Sequence, residues 1–149
     1  MLLKKIKIIF SLKRHTFFLF CETYFFLGWA RLIMYWPFAK IAPSLGAKTE
    51  ETTIHAANTD MRTLKHISHA IAIMSRYTFW ESKCLVKAIA GLKMLERRKI
   101  DSTLYLGTAK DEEGKLIAHA WLRSGPLYIT GADVMEKFIV VEKFAKKAS

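Results

Sequence analysis

The run Trp80-Glu-Ser-Lys-Cys84-Leu-Val-Lys-Ala-Ile-Ala-Gly-Leu-Lys-Met-Leu95 carries its apolar residues at helical spacing: Leu85, Ala88, Ile89, Leu92 and Leu95. Glu96-Arg97-Arg98-Lys99 closes it with cations, which suit the negative end of a helix dipole. Ser82 or Thr78 offers an N-cap, and Glu81 a negative charge for the positive end. Cys84 therefore falls in the first helical turn, where backbone N–H groups lack partners and favour an anion. A thiol so placed can have a lowered pKa. The plainer reading is a buried cysteine serving as a small hydrophobe.

The residues downstream change the pattern from helix to sheet. Residues 103–109 are rich in β-formers, 110–114 form a polar turn, and 116–123 are again strand-like. Ser124-Gly125 makes a tight turn before 126–130, and 138–144 read as a last strand ahead of a Lys-rich tail expected to fray. The expectation is an antiparallel sheet of about four strands packed on the Cys84 helix, with His119 on the central strand. A thiol at a helix start and an imidazole on a strand can form a nucleophile and its base. Trp121, two residues from His119, shares its face and either shields that pair or is ordinary core. Trp80, one turn before Cys84, either walls the site or supplies its indole N–H.

Trp80-x-x-x-Cys84-Leu85, Leu104-Tyr-Leu-Gly107, and above all Ala118-His119-Ala120-Trp121-Leu122 followed by Gly125 and Thr130-Gly131 carry a resemblance. They are similar to the leader peptidases of lasso-peptide biosynthesis, small cysteine proteases of the transglutaminase-like superfamily. The order of Cys, then His on a strand, then an acidic or polar residue on the next strand is that of the superfamily. The motifs are specific over 80–131 and only suggestive earlier in the chain.

The resemblance implies an α+β fold in one domain over 1–149: a helical part over 1–77, then over 78–149 the nucleophile-bearing helix on an antiparallel sheet, a transglutaminase/papain-like core. It implies hydrolysis of a ribosomally made lasso precursor peptide. Cys84 is the nucleophile and His119 its base, and the Cys84 N–H faces the oxyanion. The third catalytic residue departs from the plainest family pattern, because 127–130 hold no carboxylate. Asp133, just past Gly131, is the nearest downstream acid; the alternatives are Thr130 or a backbone carbonyl. No cofactor and no metal are implied.

The N-terminal half has no winged-helix-like β pattern, so the expectation is the stand-alone protease of a split system. Its expected partners are the precursor peptide, a separate leader-binding protein and a lasso cyclase. Acyl transfer on the same Cys–His machinery is an alternative, and so is a non-enzymatic basic module for a membrane or nucleic acid.

Composition bounds these readings. The 149 residues are 52% apolar and 13% aromatic, enough for a packed core and too hydrophobic for disorder. The formal charge of +11, from 24 Lys+Arg against 13 Asp+Glu, attracts nucleic acid, anionic lipid or an acidic peptide without choosing among them. Nucleic acid is not among the expected partners. Cys21 and Cys84 make no disulfide framework, and no secretory cleavage signal is visible, so both read as free thiols of a cytoplasmic protein.

Residues 1–15 mix cations with aliphatics as an amphipathic helix does. Residues 16–36 have the length of a membrane span but contain Glu22 and Arg31, each costly in a bilayer. Burial in the protein or against a partner is the favoured reading, ahead of an interfacial membrane helix. Pro37 and Pro43 mark a break, and 46–53 a polar connection. A second amphipathic helix is expected over 57–77, with caps among Asn58, Thr59 and Asp60 and a stripe of Leu64, Ile67, Ile71 and Met74. His66 and His69 on it lack the companions of a metal site and read as surface residues.

Overall fold

The computed structural model describes residues 3, 4, 7, 13–54 and 60–147. The amphipathic helix expected over 1–15 and the caps Asn58 and Thr59 fall largely outside them. Among the described residues are four α-helices and a five-stranded antiparallel sheet, which is the expected α+β class. The strand order is β1-β5-β2-β3-β4, with β1 Ala47–Lys48, β2 Ser102–Lys110, β3 Leu116–Ser124, β4 Leu127–Thr130 and β5 Ile139–Lys146. The central strand is thus β2, not the strand of His119. β5 returns to pair along the free edge of β2, and β3 has only the short β4 on its other side.

Helix α1 spans Arg14–Ile33 and ends before Pro37 rather than at residue 36. It is not enclosed within this chain. It buries Thr23, Leu27 and Ala30 and leaves Phe18 61%, Phe25 64% and Leu32 61% exposed. Its carboxylate is matched: Glu22 takes a two-pronged bond from the Arg98 guanidinium at 2.7 Å on both oxygens and an ion pair from Arg97 at 3.0 Å. That fork holds Arg98 above its ordinary pKa.

The break expected at the prolines falls at Pro37, after α1, whereas Pro43 lies inside helix α2, Phe38–Leu45. Pro37 precedes its first turn, where a missing N–H costs nothing. Pro43 forfeits one internal bond, which burial of Ile41 and Leu45 offsets. Gly46 then takes φ +128, and a Cβ there would sit 2.2 Å from the Ala145 carbonyl oxygen. Only glycine lets β1 dock on β5, so the polar connection expected over 46–53 contains a fifth strand.

Helix α3, Met61–Met74, starts four residues later than 57 because Asp60 is its N-cap, accepting from the Arg62 N–H at 3.0 Å and the Thr63 hydroxyl at 2.9 Å. Those bonds, the Thr63 hydroxyl first, hold the Asp60 carboxyl below its usual pKa. The cap is therefore formed above the carboxylate range and lost as pH falls through the lowered pKa. Leu64, Ile67, Ala70 and Ile71 face inward, and the Ser68 hydroxyl donates to the Ile129 carbonyl at 2.7 Å, pinning α3 to β4.

Helix α4, Cys84–Arg97, lies over the sheet. A Cβ on Gly91 would meet Leu122 Cδ2 at 2.8 Å and Ile71 Cδ1 at 3.0 Å, so this glycine sets the close approach of α4 to β3 and α3. The core between helices and sheet is closed by Leu104, Ala120, Leu122, Ile129 and Phe144 from the strands.

Candidate active site

Cys84 is the first residue of α4, half-buried and free of disulfide. The expected caps are absent from that helix start. The N-cap position is Lys83, with no side-chain hydrogen bond to the helix. Thr78 and Ser82 instead bond each other at 2.9 Å, and the Thr78 hydroxyl also lies 2.9 Å from the Trp80 carbonyl oxygen. Their hydroxyls are used to shape the loop that delivers Cys84. Glu81 pairs with Lys83 at 3.5 Å in solvent, and no acid stands in the first turn. The head of α4 thus keeps its positive dipole end uncompensated by any side chain of its own first turn, an environment suited to a thiolate or an oxyanion.

Trp80 packs between this loop and α1, its ring 4.9 Å from Tyr24 and 4.7 Å from Phe79. A Cβ on Gly28 of α1 would touch it at 3.4 Å. Its indole nitrogen is buried with no hydrogen-bond partner among the described residues.

His119 stands on β3, opposite Gly107 of β2. Strand alternation sends Ala120 and Leu122 toward the helices and His119, Trp121 and Arg123 to the other face. There the imidazole lies against Trp121 at 5.8 Å and Phe138 at 5.0 Å, and Trp121 in turn stacks on Tyr105 at 5.6 Å. Trp121 therefore does share the face of His119, and is 4% exposed.

His119 Nε2 is 2.9 Å from the Gly131 carbonyl oxygen. A carbonyl only accepts, so Nε2 carries the proton and the neutral ring keeps its lone pair on Nδ1. The expected contact from Asp133 is not what holds the ring: Asp133 is exposed in the turn that leads to the short 3₁₀ helix Met135–Lys137. Gly131 has φ +75, and a Cβ there would lie 2.7 Å from the Ala120 oxygen, 2.8 Å from Trp121 Cβ and 3.0 Å from His119 Nε2. Glycine alone allows the carbonyl to approach, so the ring's partner is the last of the expected alternatives, a backbone carbonyl, here that of Gly131. The signal was a glycine directly after the strand. Thr130, the other alternative, is 9% exposed, and its hydroxyl has no partner among the described residues.

α4 meets β3 where Gly91 faces Leu122, seven residues after Cys84 in one element and three after His119 in the other. Cys84 packs on the core side with Ala120 and Leu122, while His119 packs on the other face against Trp121 and Phe138, and among the described residues no hydrogen bond joins Cys84 to His119. What lies beside them is an open edge: β4 pairs β3 only at Leu122, Arg123 and Ser124.

Arg123, on the His119 face, is a residue whose role sequence reading missed. Its guanidinium donates to the Tyr105 hydroxyl at 2.9 Å and to the carbonyls of Thr52 and Gly125 at 2.8 Å each. It ties the incoming segment 51–54 across the sheet and backs the Trp121–Tyr105 stack. His66 and His69 stand apart from this region, exposed on α3 beside Arg62 and Lys65.

Comparison with known proteins gives a family. A model described as the transglutaminase-like superfamily matches residues 26–143, from the middle of α1 to β5. Neither a curated protein nor a solved structure matches. The match takes in Cys84, His119 and most of the helix-on-sheet core, in the order of a helix-borne cysteine followed by a strand-borne histidine. By that match the chain belongs to the transglutaminase-like superfamily, a fold of the cysteine peptidase and acyltransferase type.

Proposed function

We propose that the chain is a cysteine peptidase that removes the leader from a ribosomally made lasso precursor peptide, as the stand-alone protease of a split system. The observation that carries the peptidase reading is the Gly131 carbonyl on His119 Nε2, which fixes the tautomer with a basic Nδ1. The lasso substrate rests on the resemblance of Ala118-His119-Ala120-Trp121-Leu122 and its flanking motifs.

In the proposed reaction, His119 Nδ1 takes the Cys84 proton across the open edge of β3 as the substrate binds. The thiolate attacks the scissile carbonyl, and the Cys84 N–H at the head of α4 donates to the oxyanion. The imidazolium protonates the leaving amine, releasing one peptide segment. Water then hydrolyses the thioester and frees the other segment and the thiol. Substrate binding brings thiol and imidazole into register, and a separate leader-binding protein delivers the precursor.

The test is mass spectrometry of a precursor peptide incubated with the chain, with and without the leader-binding protein. Cleavage at the leader junction should be slow alone, faster with the partner, and abolished in a folded Cys84→Ala variant. Cys21→Ala should keep most activity. Equal cleavage by Cys84→Ala and the parent overturns the proposal. An amine adduct in place of a hydrolysed product moves the chain to acyl transfer on the same residues.

One observation favours a second reading, a binding module without chemistry: the imidazole and thiol approach β3 from opposite faces. That reading predicts that Cys84→Ala is indistinguishable from the parent in every assay.

A further inference from the structure

We infer that α1 lies flat on an anionic lipid surface, with the basic depression on α3 beside its head receiving lipid phosphates. This goes beyond the peptidase reading and does not depend on it.

The first observation is the free face of α1. Phe18, Phe25 and Leu32 recur every seven residues, so they project from one side of the helix. All three are more than half exposed, and Tyr35 at 76% and Trp36 at 55% extend the apolar surface past the helix end. The side opposite carries Thr23, Leu27 and Ala30, packed on the protein. Aromatic groups at such a face suit the boundary between headgroups and acyl chains.

The second observation is charge. Lys13 and Arg14 stand exposed at the head of α1. The His15 ring lies 6.1 Å from His66, which places that head beside the depression lined by Arg62, Lys65, His66 and His69. At the tail, Arg31 lies over the Tyr35 ring at 5.3 Å. The sequences of α1 and α3 contain a single carboxylate, Glu22, and it is held by Arg97 and Arg98. Asp60, before α3, is engaged by the Arg62 N–H and the Thr63 hydroxyl. An apolar strip flanked by uncompensated cations complements anionic lipid.

The same features decide against the other occupants. In a spanning helix, Glu22 and its two arginines would enter hydrocarbon and the packed side would be stripped from α4. A second copy docking face to face would set the cations at the head of α1 against like charge, their own counterparts if the helices run parallel and Arg31 if they run antiparallel.

The test uses the full chain and sedimentation with vesicles of phosphatidylcholine, alone or with about one third phosphatidylglycerol. Binding should be roughly tenfold stronger to the anionic vesicles and should fall as salt rises. Phe18→Ser/Phe25→Ser should weaken binding about tenfold with an unchanged circular dichroism spectrum. Arg62→Gln/Lys65→Gln should shrink the preference for anionic over neutral vesicles. Absence of vesicle binding at low salt overturns the inference, as does binding that the phenylalanine pair does not affect. A concentration-dependent dimer that Phe18→Ser/Phe25→Ser dissolves would also overturn it, assigning the face to self-association. None of these readouts involves peptide cleavage, so the peptidase proposal stands or falls separately.

Discussion

The two faces of the sheet are built by different rules from alternate residues of the same strands. Toward the helices stand Leu104, Ala120, Leu122, Ile129 and Phe144, held by apolar burial against α3 and α4. Away from them stand Tyr105, His119, Trp121 and Arg123, held by ring contacts and by hydrogen bonds to particular backbone carbonyls. The first face asks only for volume and tolerates exchange among hydrophobes of similar size. The second is directional: its donors are aimed at particular acceptors, and losing a donor leaves buried polar groups unpaired. The imidazole is on the directional face, and its orientation comes from the main chain.

The comparison predicts that the directional face fails harder. Arg123→Leu keeps bulk but removes the fork that serves Tyr105, Thr52 and Gly125, in a side chain 4% exposed. The substitution strands buried acceptors, at about 1–3 kcal/mol for each left unsatisfied. The urea midpoint should fall accordingly with an unchanged m-value. Arg123→Lys should rescue little, since a point charge cannot serve the same planar set. A change below about 1 kcal/mol would show that the outer face contributes little directional stability.

Next in size is the aliphatic face. Leu122 is 0% exposed and meets α4 where Gly91 allows close approach. Leu122→Ala should cost about 3 kcal/mol, from lost burial plus the cavity left under a helix that cannot settle into it. A double variant with Arg123→Leu tests whether the faces act independently: these neighbours point opposite ways, and their effects should add within about 0.5 kcal/mol.

The same contrast explains what was legible from sequence. Apolar periodicity located α4 and the three strands of the meander to within a residue or so, because burial on the helix face follows directly from side-chain type. Sequence reading also put Trp121 on the side of His119, since alternation is geometric. It missed α2, where local proline chemistry predicts a break and burial of Ile41 and Leu45 prevails. It missed β1, because the permission for that pairing is a positive φ at Gly46, visible only once β5 is in place. It set His119 on the central strand because β5, last in sequence, inserts beside β2. A backbone carbonyl is among the orienters the sequence suggests for His119, but which carbonyl is not legible, because a carbonyl has no residue type. The opposed approach of Cys84 and His119 to β3 depends on which residue of the strand begins the inward phase, which the motif alone does not state.

The smallest expected effect is at Asp133, and it bears on what orients the base. A carboxylate bonded to the imidazole of a catalytic pair is worth a factor on the order of 10²–10⁴ in turnover, by analogy with serine triads. Here His119 Nε2 is already bonded to the Gly131 carbonyl oxygen at 2.9 Å, and Asp133 is exposed in the following turn. A ring N–H so engaged has no second proton to offer a carboxylate. Asp133→Asn should therefore change the rate of precursor cleavage by less than about threefold, read from single-turnover kinetics at saturating enzyme. The stability of the variant should match the parent, since the side chain lies in solvent. A fall of a hundredfold or more, with folding intact, would return Asp133 to the catalytic set and mean that the turn after Gly131 closes onto His119 when substrate is bound. Severe impairment of Thr130→Val beside a near-normal Asp133→Asn would instead move the role to the buried Thr130 hydroxyl. If both variants cleave normally, the carbonyl of Gly131 is sufficient, and the positive φ that only glycine sustains there is the catalytic requirement at that position.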